Sequence, residues 1–522
     1  MLFADLVATS AAVAATPKRG EKVARLAEVL RRLAPDEIGP AVAFLSGELP
    51  QGRIGVGWST ISQVAASRPA RSEAEAGWGS ALSPVLEIAD VVRLLDEVLA
   101  TVGAGASAQR SSRIAAFIAR ATPGEADFLK RLLVGELRQG ALAGVMSEAV
   151  AQAAKVSPAA VRRAAMLSGD LASAARIALA EGEPGLAAVA LEVGRPILPM
   201  LAATSPDPAA ALADTGTASV EWKLDGARIQ VHRSGADVRI FTRNLNDVTD
   251  RLPEIVTIAT SLDVGSAVLD GEVLGLHEDE APRAFQDTMS RFGTAGRADL
   301  TLRPYFFDVL HLDGEPLIDR PLGERLPLLD RAVGALAVPR IVTADASEAE
   351  RFLARALAAG HEGVVIKAIG SRYEAGRRGK AWRKVKPVLT LDLVVLAAEW
   401  GSGRRRGWLS NLHLGARDPD TGGFVMVGKT FKGLSDELLR WQTARFAELA
   451  EREADGIVAI RPELVVEIAL DGVQRSTRYP GGVALRFARV KGYRPDRGAS
   501  SANSIAEVRA LLPGSAARTR AP

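Results

Sequence analysis

The sequence predicts a multidomain α and β protein with three successive architectures: an all-α region, an α+β region and a small antiparallel β-barrel. Three observations carry the prediction. Through the first part of the chain, apolar residues recur at three- and four-residue spacings, the period of a helix buried on one face. A connector, GRPILPMLAATSPDP, then places four prolines where no helix can continue. Beyond it come short alternating runs punctuated by Gly and Asp, the period of strands. At 522 residues the chain has room for about three domains. The predicted boundaries are 1–195, 196–388 and 389–511, with a disordered tail over 512–522.

The elements follow in order. In EKVARLAEVLRRL the residues Val23, Leu26, Val29, Leu30 and Leu33 fall on one helical face, and similar periodicity continues from about residue 20 to the connector. After the connector the strand-like runs are SVEWKLDGARIQVHRSGADVRIFTR, SAVLDGEVLGLH, RPYFFDVLHLDG and EGVVIKA. The helical stretches ERLPLLDRAVGAL and EAERFLARALAAG intervene, which makes this region α+β. The third region alternates apolar and polar residues through LTLDLVVLAAEWGSG, NLHLGARDPDTGGFVMVGKTF and ELVVEIAL, as a small antiparallel barrel does.

Composition narrows the chemistry. With no cysteine, the chain has no disulfide framework, no cysteine-ligated zinc or iron–sulfur cluster and no thiol nucleophile. Five histidines are too few for a His-rich metal site, so carboxylates must hold any metal. No uncharged stretch reaches the roughly 18 residues a membrane helix needs. Asp5 stands where a signal peptide carries positive charge, so a cytoplasmic protein is expected. The net charge is only +3, yet the basic residues cluster late in the chain. Seven lie between Ser371 and Lys386 and seven more between Asp471 and Arg497. Such runs form a solvated face or, beside glycines and aromatics, a phosphate-binding one.

The most informative segment is Glu221-Trp222-Lys223-Leu224-Asp225-Gly226-Ala227-Arg228, which sets a lysine at a strand end before an Asp-Gly turn. As local structure alone, a hairpin with exposed cations satisfies the pattern. As chemistry, Lys223 is a candidate nucleophile. That role requires a neutral amine, hence a pKa depressed by burial or by neighbouring cations, and the basic cluster at 377–386 is the predicted source of those cations.

This KxDGxR element, with the segments that follow it in order, resembles the ATP-dependent DNA ligases of the covalent nucleotidyltransferase superfamily over nearly the whole chain. The resemblance implies that Lys223 attacks the α-phosphate of ATP to form a lysyl-AMP. It implies that Glu221 reads the adenine, Arg228 approaches the ribose, and Arg243 in FTRN meets the nucleotide or nick phosphate. Leu269-Asp270-Gly271-Glu272 resembles the DGE motif, in which Glu272 holds the ribose hydroxyl or helps bind metal. Phe307 in YFFDVL matches the adenine-stacking position, where an aromatic face suits a purine. Glu362, opening an EGxxxK motif, is the expected Mg²⁺ ligand, since a hard cation takes carboxylate oxygen.

Arg378 is expected at the nucleotide as well. Period-two alternation places Lys384 and Lys386 on one side of a strand, both in reach of one phosphate. In the family these two lysines contact the α-phosphate. Arg494-Pro495-Asp496-Arg497 resembles the RxDK motif that orients the leaving pyrophosphate, with Arg497 where the family has lysine. Leu132 to Gly140 resembles the segment that opens the DNA-contacting helices.

The resemblance therefore implies an all-α DNA-binding domain, an α+β adenylation domain and an OB-fold barrel. Together they would encircle nicked duplex DNA as a monomer at the nucleoid, using ATP and Mg²⁺. Within the superfamily, RNA ligases and RNA-capping nucleotidyltransferases share the KxDG lysine, but neither is expected to carry so long a helical region. An inactive, merely DNA-binding relative is the alternative from another class. An NAD-dependent ligase is disfavoured because that family carries a cysteine zinc module.

Overall fold

A computed structural model describes residues 1–52, 54–57, 60–61, 85–137, 139–140, 143–277, 282–283, 285–292, 301–374 and 379–512. The expected Arg378 and nearly all of the expected tail lie outside the described residues, as does Arg138 within the 132–140 segment.

Helices run from Phe3–Ala15 to Leu171–Ala188, and the first begins well before residue 20, where the helical pattern was expected to start. Phe3, Leu6 and Val13 point that helix into a core with Leu26, Phe44, Leu95, Phe128 and Val150. Sequence signals set the helix ends. Thr122 and Glu125 cap each other's backbone at the start of Pro123–Leu133, and Gly169 closes Pro158–Ser168 in the left-handed region at φ 74°. The 132–140 segment closes one helix at Leu133, turns through Gly135 and Gly140 at positive φ, and precedes Ala143–Ala154. It leads from one helix toward the next, and Gln139 within it is buried.

The middle region contains β1 (Ala203–Thr204), β2 (Ala218–Lys223), β3 (Ala227–Ser234), β4 (Asp237–Thr242), β5 (Ser266–Gly275), β6 (Leu302–Leu312), β7 (Glu315–Pro316), β8 (Arg340–Thr343), β9 (Gly363–Ala368) and β10 (Trp382–Val385). They form two five-stranded sheets, ordered β1-β10-β9-β2-β8 and β4-β3-β5-β6-β7. Helices Pro208–Thr215 and Ala346–Ala358 cover the first sheet, while Pro253–Ser261 and Leu322–Val333 cover the second. Between β2 and β3 the chain leaves one sheet for the other, so the turn Leu224-Asp225-Gly226 sits at the seam. Glycine is required at 226 because a Cβ there would collide with the Val273 carbonyl of β5.

The last region contains β11 (Leu389–Trp400), β12 (Leu409–Arg417), β13 (Phe424–Thr430), β14 (Ala450–Ala454), β15 (Ile457–Ile460), β16 (Val465–Leu470), β17 (Gly472–Arg475), β18 (Val483–Arg486) and β19 (Arg489–Tyr493). Long β11 organises it, pairing with β12 on one edge and with β16 and then β15 on the other, with register shifts after Val395 and Glu399. Helix Asp436–Leu449 closes the core through Leu439 and Phe446.

The joints between regions differ in kind. Helix Pro158–Ser168 and the connector share an apolar core with the middle region through Met166, Leu167, Ile197, Met200, Leu310 and Trp382, beside an Arg163–Asp319 ion pair at 2.5 Å. The last region meets the middle one through polar contacts. Arg486 donates to Asp225 at 2.8 and 3.3 Å, Lys386 to Asp471 at 2.5 Å, and Gln286 to the Arg475 carbonyl at 3.4 Å. Among the described residues no helix is long and apolar enough to cross a membrane.

Candidate active site

A cavity of about 590 Å³ opens at the seam between the two middle sheets. Strand residues wall it: Glu221 and Lys223 of β2, Arg228 of β3, Glu272 of β5, Phe307 of β6, Lys367 of β9, and Trp382 and Lys384 of β10. Arg243, just past β4, lines it too. Positions far apart in sequence converge because strands from both sheets present these residues to one cleft.

Lys223 ends β2, and its Nζ is paired with Glu362, which stands just before β9. The sequence led us to expect cations around this amine, and the structure supplies carboxylates instead. Burial opposes the charge, but Glu362, Glu272 and Asp225 outweigh it and raise the Lys223 pKa. The ligand-free lysine is therefore held protonated, the reverse of the expected depression. Glu272 accepts the Gly226 N–H at 3.0 Å. Burial pushes its carboxyl up to about 7, against the opposing pull of Lys223, the Gly226 N–H and Arg228.

Glu221, two residues before Lys223 on β2, is 2% exposed. Its Oε1 accepts from Ser219 Oγ at 2.9 Å, and its Oε2 pairs with Lys367 Nζ at 2.6 Å. Lys367 also donates to the Phe307 carbonyl at 3.2 Å and lies 4.3 Å from the Phe307 ring centroid and 4.2 Å from that of Trp382. An acceptor carboxylate and an aromatic face thus line the same cavity as Lys223.

Arg228 is anchored from behind. Asp270 accepts from it at 3.0 and 2.6 Å and the Met200 carbonyl at 2.7 Å, and Tyr373 donates its hydroxyl to Asp270 at 2.6 Å. The guanidinium lies 5.3 Å from the Phe307 centroid.

The structure separates Lys384 from Lys386. β10 ends at Val385 before Pro387, so strand alternation no longer governs Lys386, which turns to Asp471 of the last region while Lys384 lines the cavity. Arg494, Asp496 and Arg497 do not line the cavity either. Arg494 is held by Asp496 at 2.9 and 2.6 Å, and Arg497 lies 2.8 Å from Asp392. In this arrangement the Arg486 end of the last region faces the seam.

Sequence reasoning assigned no role to Asp225, Lys367, Tyr373, Trp382 or Arg486. Lys367 closes the EGxxxK run and Trp382 opens the WRKVK run, so motif position was the available signal for those two. The others are set by contacts across the fold.

A lysine, two carboxylates and an aromatic face converging on a cleft between two sheets are the parts of a nucleotidyl-transferring enzyme. Comparison with known proteins takes this further. Three family models match the chain: DNA ligase N terminus over residues 2–151, ATP dependent DNA ligase domain over 199–386, and ATP dependent DNA ligase C terminal region over 405–497. A probable DNA ligase of Pseudarthrobacter chlorophenolicus is 55% identical over 517 residues, covering 98% of this chain and 100% of that protein. Another from Saccharopolyspora erythraea is 55% identical over 509 residues, covering 98% of each. The solved structure Pmar-Lig_PreS3 shares the fold, with a TM-score of 0.61 at 20% identity over 94% of this chain and 99% of that one. The chain belongs to the ATP-dependent DNA ligases, enzymes that form phosphodiester bonds.

Proposed function

We propose that this ligase seals nicks in duplex DNA through a lysyl-AMP formed on Lys223, and that the 590 Å³ cavity is where ATP is held. The convergence of Lys223, Glu272, Glu221 and Phe307 on that cavity carries the reading. Phe307 stacks on adenine, and Glu221, an acceptor, takes the N6 amino group, a donor that guanine lacks at that position. Arg228 and Glu272 address the ribose, with Arg243 and Lys384 toward phosphate. The Lys223 amine then attacks the α-phosphate, and pyrophosphate leaves. Pairing with Glu362 keeps the amine protonated and unreactive until nucleotide binds, so the proton must be lost as the triphosphate enters.

No cluster of three or more metal-ligating side chains occurs among the described residues. That suits Mg²⁺, which is held by one or two carboxylates together with substrate phosphates and water. Glu362 and Glu272 are the carboxylates that would hold it, and the ion would neutralise phosphate charge.

In this reading residues 1–195 bind DNA through its backbone, 196–388 form the adenylation domain, and 389–511 form an OB-fold. The course of β11, paired to β16 and then β15 along one edge and to β12 along the other, supports the last assignment. As a monomer the three encircle the nicked duplex. Because Arg494, Asp496 and Arg497 lie outside the cavity here, the last region must turn to bring them to the pyrophosphate, and the polar joint at Asp225–Arg486 and Lys386–Asp471 is suited to that motion. An RNA ligase or capping enzyme is set aside by the match of all three family models.

The test is incubation with α-labelled ATP and Mg²⁺ followed by a denaturing gel. Label retained by the wild type, absent from Lys223→Ala and chased onto nicked DNA is the expected result. No retained label, even after pyrophosphate stripping of pre-bound AMP, overturns the assignment.

A further inference from the structure

The last region contains a carboxylate that the cavity chemistry leaves unused. Asp392, near the start of β11, is 8% exposed. Its backbone is clamped to Asn503: the Asp392 N–H donates to Asn503 Oδ1, and the Asn503 N–H donates to the Asp392 carbonyl, both at 2.8 Å. Two arginines converge on its side chain. Arg497 Nη1 stands 2.8 Å from Oδ2, and Arg494 Nη1 reaches the two oxygens at 3.5 and 3.4 Å. The Arg497 N–H donates to the Arg494 carbonyl at 3.1 Å, so one tight turn presents both guanidiniums.

Asp496 grips the opposite edge of Arg494. Arg497 keeps 43% of its side chain exposed. A nearly buried acid needs a partner, but one arginine satisfies that need. A second, with 43% of its side chain in solvent and one nitrogen beside the acid, is placed to receive another anion.

We infer that Asp392 is a positioning residue for nucleotidyl transfer, setting the guanidinium planes of Arg494 and Arg497 so that both reach the leaving pyrophosphate already oriented. The inference rests on the proposed reading of these arginines as pyrophosphate contacts and adds what aims them. All three residues belong to one region, so their geometry travels intact when that region moves. Asp392 also gives a reason for arginine at 497. A guanidinium can hold the acid with one nitrogen and a phosphate oxygen with another, whereas lysine offers a single point charge. In the step concerned, the Nζ–P bond of Lys223 forms as the bond from the α-phosphorus to the bridging oxygen breaks. Pyrophosphate departs with that electron pair, and the amine proton passes to solvent. The aimed arginines stabilise the charge that grows on the departing oxygen.

Three reactions test this in wild type, Asp392→Asn, Asp392→Glu and Arg494→Ala. They are single-turnover formation of lysyl-AMP, its reversal by inorganic pyrophosphate, and ATP-free sealing of a nick that already bears a 5′-adenylate. In Asp392→Asn, formation is expected to slow and the KM for pyrophosphate to rise by about 10- to 100-fold, the cost of a misaimed group. Sealing should stay within about twofold. Asp392→Glu, which keeps the charge, should regain most of the rate. If the Asn variant fails to fold, the Glu variant carries the same comparison, with a smaller loss in the first two reactions and none in the third. Equal losses in all three reactions would reduce Asp392 to a structural staple, and an unchanged pyrophosphate KM would show that the arginines need no aiming. Either result overturns the inference. If Arg494→Ala also leaves formation and the pyrophosphate KM unchanged, the reading of the arginines themselves fails.

Discussion

Glu272 makes the cavity's effect on a carboxylate measurable. Its carboxyl titrates near 4.5 in an unfolded chain and is pushed up to about 7 in the fold, chiefly by burial. Over that interval of about 2.5 pH units, at 1.36 kcal/mol per unit, the ceiling is about 3 kcal/mol, or about 2 kcal/mol after discounting for solvent at the cavity mouth. The sign follows from the direction. A pKa raised on folding means the folded state resists ionisation, so this contribution is fully present below about 4.5 and is lost as pH rises through about 7. Glu272→Gln still accepts the Gly226 N–H but does not titrate. Between pH 5 and 8 the variant should therefore gain about 2 kcal/mol on the wild type. Urea unfolding of nucleotide-free protein, followed by tryptophan fluorescence, reads this directly because Trp222 and Trp382 line the cavity. Parallel pH profiles for the two proteins, or a variant that loses ground as pH rises, would refute the reasoning.

Other perturbations address separate parts of the fold. Phe307→Ala removes the aromatic face beside Lys367 and should raise the KM for ATP about tenfold in lysyl-AMP formation, with little change in the rate at saturation. Asp308 and Arg325 form a fully buried pair at 2.7 and 2.9 Å. Asp308→Ala strands the guanidinium and should cost about 3 to 5 kcal/mol in thermal unfolding, whereas an apolar pair of similar volume should recover much of the loss. Affinity for nicked duplex should fall linearly on logarithmic axes as salt rises, by about 0.9 per phosphate neutralised, with little dependence on sequence. Salt-independent affinity would count against a backbone-binding helical region.

Much of the site was legible because the residues that build it sit on strands. Glu221, Lys223, Glu272, Phe307 and Lys384 belong to four strands, and each strand's alternation fixes which face its residues share, so a motif read in one dimension lands on a predictable wall. The all-α, α+β and β succession was legible for the same reason, since the apolar period changes from 3.6 to 2 at the prolines. Where a strand stops, that logic stops too. Lys384 and Lys386 read as neighbours on one face, yet β10 ends between them and Lys386 belongs to a contact with Asp471, 85 residues away.

The error over Lys223 has a related origin. The basic run at 377–386 is prominent in sequence, whereas the group that governs the amine is Glu362, 139 residues from it. Prominence in composition measures how much charge a segment carries, while a pKa depends on which charges stand within a few ångströms in a poorly solvated cleft. The same distinction explains why Asp225 read as turn chemistry. Its Asp-Gly setting is a local signal, but its partner Arg486 lies 261 residues away on another region. Local rules therefore recover the chemistry of each region in this ligase. The pairings that join regions, and that must break if the last region turns toward the nucleotide, become visible only when the regions are seen together.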